Sequence, residues 1–86
     1  MKVEIYTKPY CPYCERAKEL LRIKGIAFAE YVISGESHFA EEMRRRGGGE
    51  TFPGIFIANR LIGGCGELFE LDENGLLDQL LSPTSG

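Results

Sequence analysis

Two cysteines separated by Pro12 and Tyr13 sit where one hydrophobic rhythm gives way to another, and that junction restricts the fold more than any other feature of the chain. Before it, Lys2 to Tyr6 alternates polar and apolar, with Val3 and Ile5 on one face, and Pro9 then interrupts the pattern. Such a run predicts a short strand leading into a loop over Thr7 to Tyr10. After it, Cys14, Ala17 and Leu21 recur at helical spacing, Leu20 widens the stripe, and Gly25 offers a C-terminal stop. The spacing therefore predicts that Cys11-Pro12-Tyr13-Cys14 opens an amphipathic helix directly above a strand end.

That position carries chemistry. Cysteines three residues apart on a first helical turn are neighbours whose sulfurs can bond after modest adjustment. With Cys11 as N-cap, Pro12 takes the first helical position, where its missing N–H is no loss, and the N–H of Cys14 points back at the Cys11 sulfur. The positive end of the helix dipole and the nearby Lys8 favour a charged sulfur there, which makes Cys11 the expected nucleophile. Cys14 lies one turn deeper, so it is expected to stay protonated until it attacks a mixed disulfide as the resolving thiol.

The remaining pattern completes a mixed architecture. Ile26 to Ile33 is apolar at nearly every position except Glu30, which predicts a strand covered on both faces. Ser37 to Arg46 has Phe39 and Met43 one turn apart, acids early and arginines late, and ends in Gly47-Gly48-Gly49, which predicts a second helix. Ile55-Phe56-Ile57 and Leu61-Ile62 flank Asn59-Arg60, read as the two-residue connection of a hairpin. Leu68, Phe69 and Leu71, then Leu76, Leu77, Leu80 and Leu81 beyond Asn74-Gly75, predict one last helix before the polar tail 82–86. Eighty-six residues suit one domain, 1–86. The expected fold is α/β, β-α-β-α-β-β-α, with a parallel crossover first, a hairpin last, and helices on both faces of a four-stranded mixed sheet.

Composition narrows the partners. Ten basic against thirteen acidic side chains give a net charge of −3, which argues against nucleic acid or a membrane surface. No apolar stretch approaches the about 20 residues of a membrane-spanning helix, and Met1-Lys2-Val3-Glu4 lacks the basic-then-apolar start of a secretion signal, so a cytoplasmic location is expected. Paired cysteines also open zinc sites, but a closed site takes four ligands and only Cys65 and His38 remain, neither in a second pair. No metal is expected, His38 reads as a surface residue, and Arg44, Arg45 and Arg46 read as solvated complements of a helix C-terminus.

Tyr6-Thr7-Lys8 before Cys11-Pro12-Tyr13-Cys14, then Thr51-Phe52-Pro53, then Gly63-Gly64-Cys65 together resemble a dithiol glutaredoxin over nearly the whole chain. The resemblance implies a thioredoxin-like fold and a glutathione-dependent thiol-disulfide oxidoreductase, in which glutathione is the reducing co-substrate. Its implied substrates are glutathionylated or disulfide-containing proteins. Glutathione reductase would act through glutathione, and the chain would be a monomer.

Carried over by position, Lys8 would hold the glycine carboxylate, Tyr13 would wall the groove, and Pro53 would be the family's cis-proline. The Phe52 backbone after Thr51 would then pair with the cysteinyl part of glutathione. The N–H groups of Gly64, Cys65 and Gly66 would take the γ-glutamyl carboxylate and Glu67 the ammonium. Gly66 and Glu67 depart from the family's usual Ser, Thr or Asp followed by Asp. The thiol of Cys65 reads as a small apolar filler. The alternative function is a module that shares an iron–sulfur cluster through Cys11 and glutathione, which Pro12 disfavours because cluster-binding relatives generally have a small residue there.

Overall fold

A computed structural model describes residues 2–34, 38–48 and 52–81. Its elements are β1 (Val3–Thr7), α1 (Pro12–Ile23), β2 (Ala29–Val32), α2 (His38–Arg45), β3 (Gly54–Ile57), β4 (Arg60–Gly63), α3 (Cys65–Glu73) and α4 (Leu76–Leu81). They build a four-stranded sheet in the order β2-β1-β3-β4, with β1 parallel to β2 and the other pairs antiparallel. All five residues of β1 are buried, as a central strand requires.

Alternation along β1 and β3 sorts the two cores. Val3, Ile5, Ile55 and Ile57 face Ala17, Leu21, Cys65, Leu68 and Leu77 from α1, α3 and α4. Tyr6 and Phe56 face Met43 of α2 with Phe39 and Phe52 alongside. Helices thus cover both sheet faces, as the sequence predicts.

Three local expectations need correction. Ile26 to Ile33 is not a fully covered strand: only Ala29–Val32 pairs, at the sheet edge, with Glu30 and Val32 exposed. Ile26 and Phe28 pack against the first core from the connection that leads into the strand, so their apolarity reports core contact and not strand burial. The hairpin turns at Ala58-Asn59, one residue earlier than expected, because Ile57 pairs with Arg60. Both turn residues are left-handed, with φ 52° and 67°, the form that matches strand twist. Ala58 has no side-chain reason to adopt it, but its N–H donates to the Lys2 carbonyl at 2.9 Å. Finally, the last helix starts at Cys65 and breaks at Asn74-Gly75, where Gly75 holds φ 74°. The order becomes β-α-β-α-β-β-α-α. Lys24, the C-cap of α1, bridges both pieces through Asp72 at 2.7 Å and Asp78 at 2.9 Å.

Arg44 and Arg45 are exposed, as expected of a helix end, whereas Arg46 folds back over the sheet. Its guanidinium forks onto Glu4, with Nη2 donating to Oε1 at 2.7 Å and Nη1 to Oε2 at 3.1 Å. It also donates to Tyr6 Oη at 2.9 Å and lies 4.1 Å from the Phe56 ring centre. Glu4 is only 4% exposed and accepts from Tyr31 Oη as well. A planar fork matches a buried carboxylate where an ammonium would not.

Candidate active site

The strand-to-helix junction places Cys11 at the N-cap of α1 in an extended conformation, φ −106° and ψ 105°, with Pro12 first in the helix. The Cys14 N–H donates to Cys11 Sγ at 3.3 Å. One of the orphan donors of the first turn is therefore spent on the sulfur, in a position where the helix dipole also favours negative charge. All three cysteines are free. Cys11 is 6% exposed and Cys14 fully buried, so only the first can meet a substrate without rearrangement.

Burial is the main force on the second thiol. It pushes the Cys14 thiol well above the ordinary range, and the hydrogen bond with Cys11 adds to that; the Lys8 backbone N–H and the charge of Lys18 oppose it. Cys14 therefore holds its proton at neutral pH. Cys65 is also pushed up by burial, against the weaker pull of Arg16, which leaves an inert thiol at the start of α3.

Lys18 is a feature that sequence periodicity missed. It shares the buried face of α1 with Cys14, Ala17 and Leu21. Its ammonium reaches Glu15 Oε2 at 2.8 Å and Glu30 Oε2 at 2.9 Å, and Thr7 Oγ1 donates to the same Glu30 oxygen at 2.7 Å. A buried cation one turn behind the resolving sulfur is thereby held by carboxylates from its own helix and from β2.

Two further segments come together beside the loop that leads to Cys11. The Phe52–Pro53 peptide is cis, as the resemblance implies, and Pro53 is buried while Phe52 is half-buried. Lys8 Nζ stands 5.4 Å from the Phe52 ring centre, so the loop after β1 and the segment before β3 meet. Gly64 approaches the same segment: a β-carbon there would lie 3.4 Å from the Pro53 carbonyl oxygen. Tyr13, Gly66 and Glu67 are exposed, and Cys65 is buried. Thr51 lies outside the described residues. Glu67 is already engaged, its Oε1 accepting from the Gly64 N–H at 2.9 Å. Gly64 has no side chain to return the bond, so this helix start is capped from one side only.

A recessed N-cap thiol backed by a protonated partner, beside a proline loop and a glycine-rich helix start, can exchange disulfides with a small ligand laid across it. Residues 3–62 match the family profile described as glutaredoxin. The chain belongs to the glutaredoxin family. Glutaredoxin 3 of Escherichia coli K12 is 54% identical over 79 residues, covering 92% of this chain and 95% of that protein. The solution structure of glutaredoxin from Brucella melitensis matches with a TM-score of 0.79 at 48% identity, over 94% of this chain and 88% of that one. A buckwheat glutaredoxin–glutathione complex matches with a TM-score of 0.79 at 30% identity, over 92% and 74%. This glutaredoxin is a glutathione-dependent thiol-disulfide oxidoreductase with a thioredoxin-like fold. Among its described residues no helix is long and apolar enough to cross a membrane.

The glutaredoxin's glycine-rich corner yields a stability test. Gly63 holds φ 128°, and a β-carbon on it would fall 2.5 Å from Glu67 Oε1 and 2.8 Å from its Cγ. Gly63→Ala must strain the backbone and dislodge the Glu67 cap, at about 1–3 kcal/mol. Thermal unfolding should show a midpoint lower by at least about 4 °C. A midpoint equal to that of the parent would mean the corner relaxes freely.

Proposed function

We propose that the enzyme reduces protein–glutathione mixed disulfides through Cys11 alone and protein disulfides through Cys11 and Cys14 together. In the first route the Cys11 thiolate attacks the glutathione sulfur, the target thiolate leaves and takes a proton, and glutathione remains on Cys11. A second glutathione thiolate attacks that glutathione sulfur, so oxidised glutathione departs and Cys11 is regenerated. In the second route Cys11 forms a mixed disulfide with the target, Cys14 loses its proton and displaces the target thiol, and two glutathiones reduce the Cys11–Cys14 bridge.

The observation that carries this reading is the asymmetry of the pair: a Cys11 sulfur supported by the Cys14 N–H at 3.3 Å, above a fully buried Cys14 whose thiol burial keeps protonated. Glutathione would lie with its glycine carboxylate at Lys8 and its cysteinyl backbone on Phe52 and Pro53, next to Thr51, with Tyr13 as a wall. Its γ-glutamyl carboxylate would meet the first-turn N–H groups of α3, of which Cys65 and Gly66 have no intrahelical acceptor. Because Glu67 accepts from the Gly64 N–H, the ligand either shares that donor or displaces the side chain, which then faces the ligand's ammonium.

The deciding experiment measures turnover of a glutathione mixed disulfide with glutathione and glutathione reductase, beside an arm fed by thioredoxin reductase. Turnover in the first arm only is expected. Turnover that requires thioredoxin reductase and ignores glutathione would overturn the proposal.

A further inference from the structure

The residue just before the nucleophile has no part in the chemistry above. Tyr10 holds φ 60°, the left-handed region that bulky side chains avoid and that Gly or Asn would occupy more readily. The Tyr10 side chain packs against nothing in return, being fully exposed, at 101%. Its surroundings repeat the theme. Pro9 and Pro12 are exposed and Tyr13 is 60% exposed, while Cys11 among them is 6% exposed. The nucleophile is recessed in a stretch of exposed rings, and Lys8 carries the only charge between Thr7 and Glu15.

Strain kept at a reaction centre without an intramolecular contact to offset it points to an intermolecular one. Disulfide exchange adds direction. Attacking, central and leaving sulfurs align, so a target thiolate departs away from Cys11, and the polypeptide attached to it must cross whatever surrounds that recess. Tyrosine suits such a place, because it offers a large rigid face at little rotamer cost. We propose that Tyr10, beside Tyr13, is a specificity-determining residue that docks the polypeptide of a glutathionylated target, favouring targets with an apolar residue next to the modified cysteine.

The proposal rests on the reading of Cys11 as the sulfur that removes glutathione from proteins, and the test keeps the two apart. Three substrates are compared: two glutathionylated peptides that differ only in Leu or Ser after the cysteine, and the mixed disulfide of glutathione with 2-mercaptoethanol, which has no polypeptide. The parent enzyme should prefer the Leu peptide by about 5- to 10-fold in kcat/KM, the scale of a modest interface hot spot. Tyr10→Asn, which removes the ring but tolerates the left-handed backbone, should erase that preference through KM, leave the small substrate's kcat/KM unchanged, and not lower the thermal midpoint. Tyr10→Phe should keep the preference.

Equal use of both peptides by the parent, or a Tyr10→Asn loss of the same size on all three substrates, would overturn the docking role. Failure of the parent to use the small substrate would instead overturn the underlying reading, and the docking role with it.

Discussion

Cys14→Ser should leave reduction of a glutathione mixed disulfide within a few-fold of the parent and abolish reduction of protein disulfides, whereas Cys11→Ser should lose both by about 10³-fold or more. The first half follows from what supports Cys11. The group that reaches its sulfur is the backbone N–H of residue 14, which serine retains, so the nucleophile keeps its hydrogen bond and its place at the helix start. The lost group is the Cys14 thiol, whose work in the proposed cycle is to displace a protein target from Cys11. Serine cannot do this, since a buried hydroxyl is a far weaker nucleophile than a thiolate. The second half follows because both routes begin at Cys11. Steady-state rates on a glutathionylated peptide and on a protein disulfide, measured for each variant, check the pair of outcomes. A Cys14→Ser enzyme that fails equally on both substrates would sink the division of labour.

What could be read from residues alone was whatever is local. Pro12 after Cys11, the alternation through Val3 and Ile5, and the stripe of Cys14, Ala17 and Leu21 are each fixed within one strand or one helix, so the sequence alone places the motif on its elements. A sequence misleads where a local signal has a distant cause. Ile26 and Phe28 look like strand residues because they are apolar, but they satisfy the core beneath α1 and leave the strand a short edge. Asn59 favours a turn one residue later than the observed one, because the bond that holds Ala58 reaches Lys2 at the far end of the chain. Lys18 and Arg46 were beyond reach for the same reason. A charged residue reads as solvated unless its partners are known, and Glu30 and Glu4 lie 12 and 42 residues away. At the site, the Glu67 side chain could be assigned to a ligand from the resemblance, but its bond to the Gly64 N–H appears only once Gly63 has turned the chain at φ 128°.

Removal of Arg46 should be the most damaging change outside the cysteines. Arg46→Ala would strand the Glu4 carboxylate, 5% exposed as a side chain, with Tyr31 at 3.1 Å and Lys2 at 3.7 Å as its remaining polar side-chain partners among the described residues. Breaking a buried pair from one side costs about 3–5 kcal/mol, a large fraction of the roughly 5–10 kcal/mol available to a small domain. At about 4–8 °C per kcal/mol for this size, the thermal midpoint should fall by about 12 °C or more at pH 7. The pH dependence identifies the cause. In the parent the Arg46 hydrogen bond, working against burial, holds Glu4 below the usual carboxylate range. Glu30 is raised by burial, but its bonds to Lys18 and Thr7 outweigh that and leave it lowered too. A folded state with lowered carboxylates binds fewer protons than the unfolded one, so this stability is fully present above about pH 4.3, the unfolded value, and is lost as pH falls through the lowered folded values. In Arg46→Ala the sign reverses at Glu4: burial without its guanidinium disfavours the charged form, and protonation then relieves the fold. The gap between parent and variant should therefore be smaller near pH 4 than at pH 7. Adding Glu4→Gln to Arg46→Ala should recover part of the loss at pH 7, because the stranded charge is gone. A gap that stays constant across that range, or a double variant no more stable than Arg46→Ala, would place the damage in lost packing on Phe56 and Tyr6 and not in the ion pair.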